Sequence, residues 1–195
     1  LNVIQGARMV GASLAAFETL AYGDLSVLVK VGVQFGLFGG AILQLGTKPH
    51  HDAYIARLVT GELMGCFAMT ETGHGSNVQA LGTVATYDAE SQEFVITTTR
   101  EDAWNDYIGN AAVHAELAVV FAQLEVGGAD DRRSEGVHAF VVPIREDGQV
   151  CAGVTIEDDG LKMGLNGVDN GRLHFDGVRV PRTALTTTVV PIGMG

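Results

Sequence analysis

The residues best suited to chemistry lie in one short stretch, Gly65-Cys66-Phe67-Ala68-Met69-Thr70-Glu71-Thr72-Gly73-His74-Gly75-Ser76-Asn77. It reads as a strand that runs into a glycine-rich loop. Gly73 and Gly75 permit backbone conformations that turn consecutive N–H groups towards an anionic or carbonyl oxygen. Thr70 and Ser76 add hydroxyl donors. A flavin ring needs such donors, because its reduction places negative charge near one edge and changes the proton demand at the reactive nitrogen. The same composition also describes an ordinary glycine turn, and the stretch alone leaves both readings open. It is no dinucleotide fingerprint: Gly73-His74-Gly75-Ser76-Asn77-Val78 lacks the third glycine and no helix-forming sequence follows. No Gly-Lys-Ser/Thr occurs, so a P-loop is excluded. Glu71 is a tempting general base. His74 can bond a ligand or hold the turn, and the turn is the expectation.

Two textures must position these residues. In residues 1–62, Ala7, Val10, Leu14, Phe17 and Ala21 recur at helical steps and form one apolar stripe. Gly23-Asp24 interrupts it, and Asp24 can cap a second helix over roughly 25–45. That helix is apolar nearly all round. Its Gly36, Gly39 and Gly40 point to close helix–helix approach, since glycine is otherwise unfavourable there. Thr47 and Pro49 predict a further helix start, with Tyr54, Ile55 and Leu58 as its stripe and Gly61 as its end.

From residue 63 short apolar or alternating runs take over: Cys66–Met69, Thr83–Tyr87, Phe94–Thr98, Leu117–Leu124, Val137–Val142, Leu173–Phe175 and Val178–Val180. Asp88 to Ser91 reads as a hairpin connection, and Gly127 to Gly136 as an acidic surface loop. His114, His138 and His174 fall on predicted strands as structural residues. The expected class is therefore α+β: a helical segment, residues 1–62, followed by a small antiparallel β-barrel domain, residues 63–195.

Composition narrows the partners. Twelve Lys and Arg stand against 23 Asp and Glu, a net charge of −11. Such a surface repels nucleic acid and anionic lipid, so neither is expected as a partner. Apolar residues make up 47% of the chain, enough to leave a face for a partner segment or subunit. The most membrane-like stretch, Leu25 to Leu45, is interrupted by Lys30, Gln34 and Gln44. Its unbroken apolar run is far short of the ~20 residues of a span, so a buried core helix is expected. Cys66 and Cys151 have no metal spacing and read as reduced thiols. The six histidines form no i, i+4 pair, so no metal site is expected. The chain begins at Leu1 and ends on Pro191-Ile192-Gly193-Met194-Gly195, which reads as a piece of a longer protein.

The stretch Met69-Thr70-Glu71-Thr72-Gly73-His74-Gly75-Ser76-Asn77-Val78 closely resembles the flavin motif of acyl-CoA oxidases, the branch of the acyl-CoA dehydrogenase superfamily with His between the glycines. Four more stretches agree in order: Ala16 to Asp24, Gly32 to Gly40, Gly160 to Gly171 and Val178 to Arg182. The resemblance implies FAD as cofactor and oxidation of a fatty acyl-CoA to a trans-2-enoyl-CoA. It implies that Thr70 contacts the ring near its reactive nitrogen, and that the backbone of Phe67 and Met69 lies along the ring. Gly75 and Ser76 belong to the same cofactor segment, and Ser76 also matches a serine that contacts the acyl-CoA. Tyr107-Ile108-Gly109-Asn110 resembles the second flavin segment, where an aromatic residue covers the ring. Tyr107 stands there in place of the usual tryptophan, and a tyrosine face can still stack. By itself, Tyr107 is equally a strand-end core aromatic.

The same resemblance argues against Glu71 as base, because the family's catalytic glutamate lies in a later helical domain. No catalytic residue is thus expected in this chain. Gly160 to Gly171 looks like a loop that closes over a ligand, or else a surface connection. Lys162 and Arg172 can meet CoA phosphates, or simply be solvated. The intact enzyme is expected to be a homo-oligomer, a dimer, that passes electrons to oxygen; an acyl-CoA dehydrogenase would pass them to a flavoprotein. The expected location is the cytoplasm, or the peroxisome in a eukaryote. Two further readings stand beside this one: a non-catalytic fragment that binds flavin or acyl-CoA, and a structural β domain with no ligand.

Overall fold

A computed structural model describes residues 3–128 and 131–186, with side chains from residue 11 onward. Helix α1 spans Val3–Gly23. Of the predicted stripe, Ala7 and Val10 lie outside the described side chains, as Pro191 to Gly195 lie outside the described residues. Leu14 and Phe17 are exposed, so this stripe is an open face rather than a buried one. Asp24 caps the next helix as expected, accepting from the Val27 N–H at 2.9 Å.

That helix is continuous from Leu25 to Leu45: α2, Leu25–Val31, a π-helical stretch Gly32–Phe38, and α3, Gly39–Leu45. It is long and apolar enough to cross a membrane by length and composition. In this fold one face packs on the β region, with Val33, Gln34, Phe38, Ala41 and Ile42 buried. The other face leaves Leu25, Val27, Phe35, Leu37 and Leu43 exposed, so the helix is half-buried rather than a core helix. Of the three glycines expected to allow close approach, only Gly39 meets another helix: a Cβ there would lie 3.2 Å from Leu58. Gly36 and Gly40 face no other helix. Buried Gln34 clips the helix to the chain entering the first strand, donating to the Leu63 carbonyl at 2.7 Å and accepting from the Gly65 N–H at 3.0 Å. Gly65 itself must be glycine, because a Cβ would overlap the Phe38 ring. Helix α4, Lys48–Thr60, starts at Thr47 and Pro49 and ends at Gly61 with φ +77°, where glycine sits without strain.

Eleven strands follow in the described residues: β1 Gly65–Ala68, β2 Thr83–Asp88, β3 Glu93–Thr98, β4 Asn105–Gly109, β5 Leu117–Val126, β6 Arg133–Pro143, β7 Arg145–Glu146, β8 Gln149–Val150, β9 Val154–Asp158, β10 Asn170–Phe175 and β11 Val178–Pro181. The helical segment and small β region match the expected class, with one correction: the main sheet is mixed, not wholly antiparallel. β1 and β2 share one edge of β5, both parallel to it, at Leu117–Val120 and then at Gln123–Glu125. β6 takes the other edge, antiparallel. β3 and β11 extend beyond β2, and β4, β10 and β9 form a second sheet. Together they curl into a half-barrel around Phe94, Phe140, Phe175, Leu173 and Val120.

The opposite face of the main sheet packs Val119, Phe121 and Val141 on Phe38, Ile42 and Leu58 of the helices. β5 is therefore buried on both faces, which explains its unbroken apolar sequence. The β2–β3 hairpin turns where predicted, with Asp88 accepting from the Glu90 and Ser91 N–H groups. β4, β7, β8 and β9 had no apolar signal of their own. His138 and His174 lie on strands as expected, whereas His114 lies in the turn after Asn110.

Candidate functional site

The glycine loop is held by its own polar groups. Glu71 is 2% exposed and its carboxylate accepts from the N–H groups of Gly82 and Thr83, each at 2.8 Å, and from the Thr83 hydroxyl at 2.9 Å. A carboxylate so engaged is a structural anion, not an available base. Glu71 and His74 also exchange backbone hydrogen bonds at 3.3 and 3.1 Å, and the His74 ring meets the Ala80 carbonyl at 3.0 Å. His74 thus holds the turn. The N–H groups of Thr72 and Gly73 go to the carbonyls of Trp104 and Asp102. Cys66 points into the core, and burial pushes its thiol well above the usual range, so it is no nucleophile.

Beyond this loop a cleft of about 360 Å³ opens between the long helix and the β region. Its four walls come from distant parts of the chain: Val29, Val33 and Leu37; Phe67 and Thr70; Tyr107, Ile108 and Gly109; and Lys162, Leu165, Val168 and Asn170. The Thr70 hydroxyl has no hydrogen-bond partner among the described residues. Tyr107 is 61% exposed and holds φ +60°, a left-handed conformation rare outside glycine. Its carbonyl accepts from Asn170 Nδ2 at 2.9 Å. Gly109 is forced by the helix, since a Cβ would lie 2.9 Å from Val33 Cγ2.

Four of the seven residues singled out from the sequence, Phe67, Thr70, Tyr107 and Gly109, therefore meet in one cleft. The other three do not line it. Met69 packs on the helix-side core. Gly75 lies against the Thr70 methyl, where a Cβ would be 3.8 Å away. Ser76 is exposed on the loop. The 160–171 segment folds on itself: Lys162 Nζ donates to the Val168 carbonyl at 2.6 Å, and the Gly167 N–H reaches Ser26 Oγ at 3.2 Å. Arg172 lies outside the cleft, over the Trp104 ring at 4.8 Å and paired with Glu157 at 3.3 Å.

Sequence reasoning missed the helical wall and a polar knot behind the cleft. Asp169 accepts from Lys30 at 2.7 Å, faces His114 Nδ1 at 2.6 Å, and accepts from the Val113 N–H at 2.8 Å. Burial raises its pKa, but these three hydrogen bonds outweigh burial and hold the carboxyl at about 2. Lys30 was the available signal: a lone charge inside an apolar helix needs a buried partner.

The profile of the acyl-CoA dehydrogenase middle domain matches residues 66–178. The peroxisomal acyl-coenzyme A oxidase 3 of Arabidopsis thaliana is 47% identical over 180 residues, 92% of this chain and 26% of the relative. An acyl-coenzyme A oxidase-like protein of Mus musculus is 49% identical over 169 residues, 86% of this chain and 26% of that one. The crystal structure of acyl-CoA oxidase 1 from Yarrowia lipolytica superposes with a TM-score of 0.80 at 38% identity, covering 87% of this chain and 25% of that one. The chain thus spans about a quarter of the length of the relatives it matches. With more than half of its residues matched by that profile, the chain belongs to the acyl-CoA dehydrogenase family, as a helical segment joined to the family's middle domain.

Proposed function

We propose that this chain is the cofactor- and substrate-contacting part of an acyl-CoA oxidase, with FAD as cofactor and fatty acyl-CoA as substrate. The observation that carries the reading is the convergence of Phe67 and Thr70 with Tyr107 and Gly109 in one cleft. Its walls fit a flavin ring: the lining is mostly apolar, Tyr107 offers an exposed aromatic face, and Thr70 offers an uncommitted hydroxyl. Phe67, Thr70, Tyr107 and Gly109 would hold the ring, and Met69, Gly75 and Ser76 would support the same segment. Ser76, exposed on the loop, is free to meet the acyl-CoA.

A bound flavin supplies hydride acceptance from the β-carbon of the acyl thioester, with oxygen as the final electron acceptor. The chain's own contribution is to bind, orient and exclude water. Thr70 would donate to the ring, and the apolar wall of Val29, Val33 and Leu37 would exclude water from it. The α-proton base belongs to the remainder of the enzyme, because Glu71 is fully engaged. The relatives' names favour oxidase over dehydrogenase, and the peroxisome as location in a eukaryote. We take residues 1–62 as the end of a helical domain and residues 63–195 as the β domain. The exposed apolar faces of α1 and of the long helix favour a homodimer in the intact enzyme.

The test is the visible absorbance spectrum of the purified chain after incubation with FAD and dialysis. A retained flavin band supports the reading, and a chain that shows no saturable FAD uptake contradicts it. Addition of acyl-CoA to the loaded chain should leave the band unbleached, because the base is supplied elsewhere.

A further inference from the structure

Each wall of the cleft has an anchor in the single polar knot behind it. The helix that carries Val29, Val33 and Leu37 also carries Lys30, whose ammonium donates to Asn110 Oδ1 at 2.9 Å and to Asp169 Oδ1 at 2.7 Å. Asn110 directly follows Tyr107–Gly109 and is fully buried. It donates from Nδ2 to the Gly65 carbonyl at 3.0 Å, at the head of the strand that leads to Phe67 and Thr70. Asp169 stands between Val168 and Asn170. Its backbone carbonyl accepts from the Asn110 N–H at 2.7 Å, and its Oδ2 accepts from the N–H groups of Val113 and His114 at 2.8 and 3.2 Å. None of Lys30, Asn110, His114 and Asp169 lines the cleft.

The knot also explains the backbone at the aromatic wall. Tyr107 and Asn110 hold φ of +60° and +71°. Such residues persist only where the surroundings over-determine them. Here the Tyr107 carbonyl is held by Asn170, and the Asn110 N–H by the Asp169 carbonyl. The Lys30 ammonium is committed to Asn110 and Asp169, so it is not a ligand cation. A part-buried ion pair can fix one arrangement among several.

We propose that Asp169 and Lys30 are positioning residues: their ion pair latches the four walls of the cleft in register, so that Tyr107 and Thr70 meet one ligand together. The latch itself stands on geometry, and its consequence for cofactor binding rests on the flavin reading above. Removal of either charge frees the Tyr107–His114 segment while the β5–β6 core remains packed.

The experiment compares the chain with Asp169→Asn, Lys30→Met and the double variant by amide hydrogen exchange and by FAD titration. Exchange over residues 107–114 is expected to rise about tenfold in each single variant, with no further rise in the double variant, while β5 exchange stays unchanged. The FAD dissociation constant should rise by about tenfold. At saturation, the band of the bound flavin should move towards that of free flavin, a signature that a general loss of stability does not produce. Unchanged exchange over 107–114 in Asp169→Asn overturns the latch, whether or not FAD binds. Raised exchange with unaltered FAD affinity and band shape overturns the positioning role. A wild-type chain that takes up no FAD refutes the flavin reading, and the exchange data then still decide the latch.

Discussion

The two segments that reach the cleft side by side, joined where the Asp106 N–H donates to the Thr70 carbonyl at 2.9 Å, are built on opposite plans. From Thr70 to Asn77 most polar groups are satisfied within the loop or by the nearby 80–104 stretch: Glu71 by Gly82 and Thr83, His74 by Ala80, Gly73 by Asp102. Only Thr70 is left to look into the cleft. From Tyr107 to Asn110 the backbone is left-handed twice, and besides local bonds to residues 106, 111, 114 and 115 it takes partners from residues 30, 65, 169 and 170. The first segment is self-supporting, and the second has its shape imposed from far along the chain. A site made of one of each has a donor fixed by its own loop beside an aromatic fixed by distant partners.

The largest effect is expected at Glu71. Replacing it with Ala strands the buried N–H groups of Gly82 and Thr83, leaves the Thr83 hydroxyl only the Ala103 carbonyl at 3.3 Å, and should cost roughly 3 kcal/mol in urea unfolding. A loss near zero would mean that the loop is not self-supporting. The next effect belongs to Asp169. Its folded-state pKa of about 2 lies below the ordinary carboxylate value of about 3.9, so it stabilises the fold fully above about pH 4. That contribution, roughly 2 kcal/mol, is lost as the pH falls towards about 2. Asp169→Asn should flatten this acid limb of the stability profile, and an unchanged limb would assign it to other carboxylates.

Gly109→Ala sharpens the contrast further. The added methyl meets Val33, and the cost should be about 1–2 kcal/mol by urea midpoint, with most of it recovered when Val33→Ala is added. Recovery shows that the helix sets the geometry of the second segment, and no recovery shows that it does not. Smallest in stability is Thr70→Val, which should stay within about 0.5 kcal/mol of the parent. Its FAD affinity should nonetheless fall about tenfold, the worth of one hydrogen bond to a ring that gains charge.

The same contrast decides what was legible in the sequence. Asp24, Thr47, Pro49, Gly61 and Asp88 act through neighbours within a few residues, so the ends of their elements could be read directly. The glycine loop was legible for the same reason. Apolar runs located β5 and β6, but not that β1 and β2 lie parallel to β5, because strand order is set by chain crossings that no local pattern records. β4 has Ile108 as its one buried apolar side chain and gave no strand signal. The helical wall was hidden because Val29, Val33 and Leu37 look like any apolar helix face. Lys30 marked the place but not the partner: Asp169 is 139 positions away.

The most direct test of the central claim uses Trp104, the single tryptophan, which lies just before β4. FAD is titrated into the purified chain and into Gly109→Leu, whose added side chain would fill the cleft against Val33, and the Trp104 emission is followed. A flavin seated against Thr70 and Tyr107 should quench that emission saturably in the parent chain and not in the variant. Equal quenching in both, or none in the parent, would contradict the placement of flavin in this cleft.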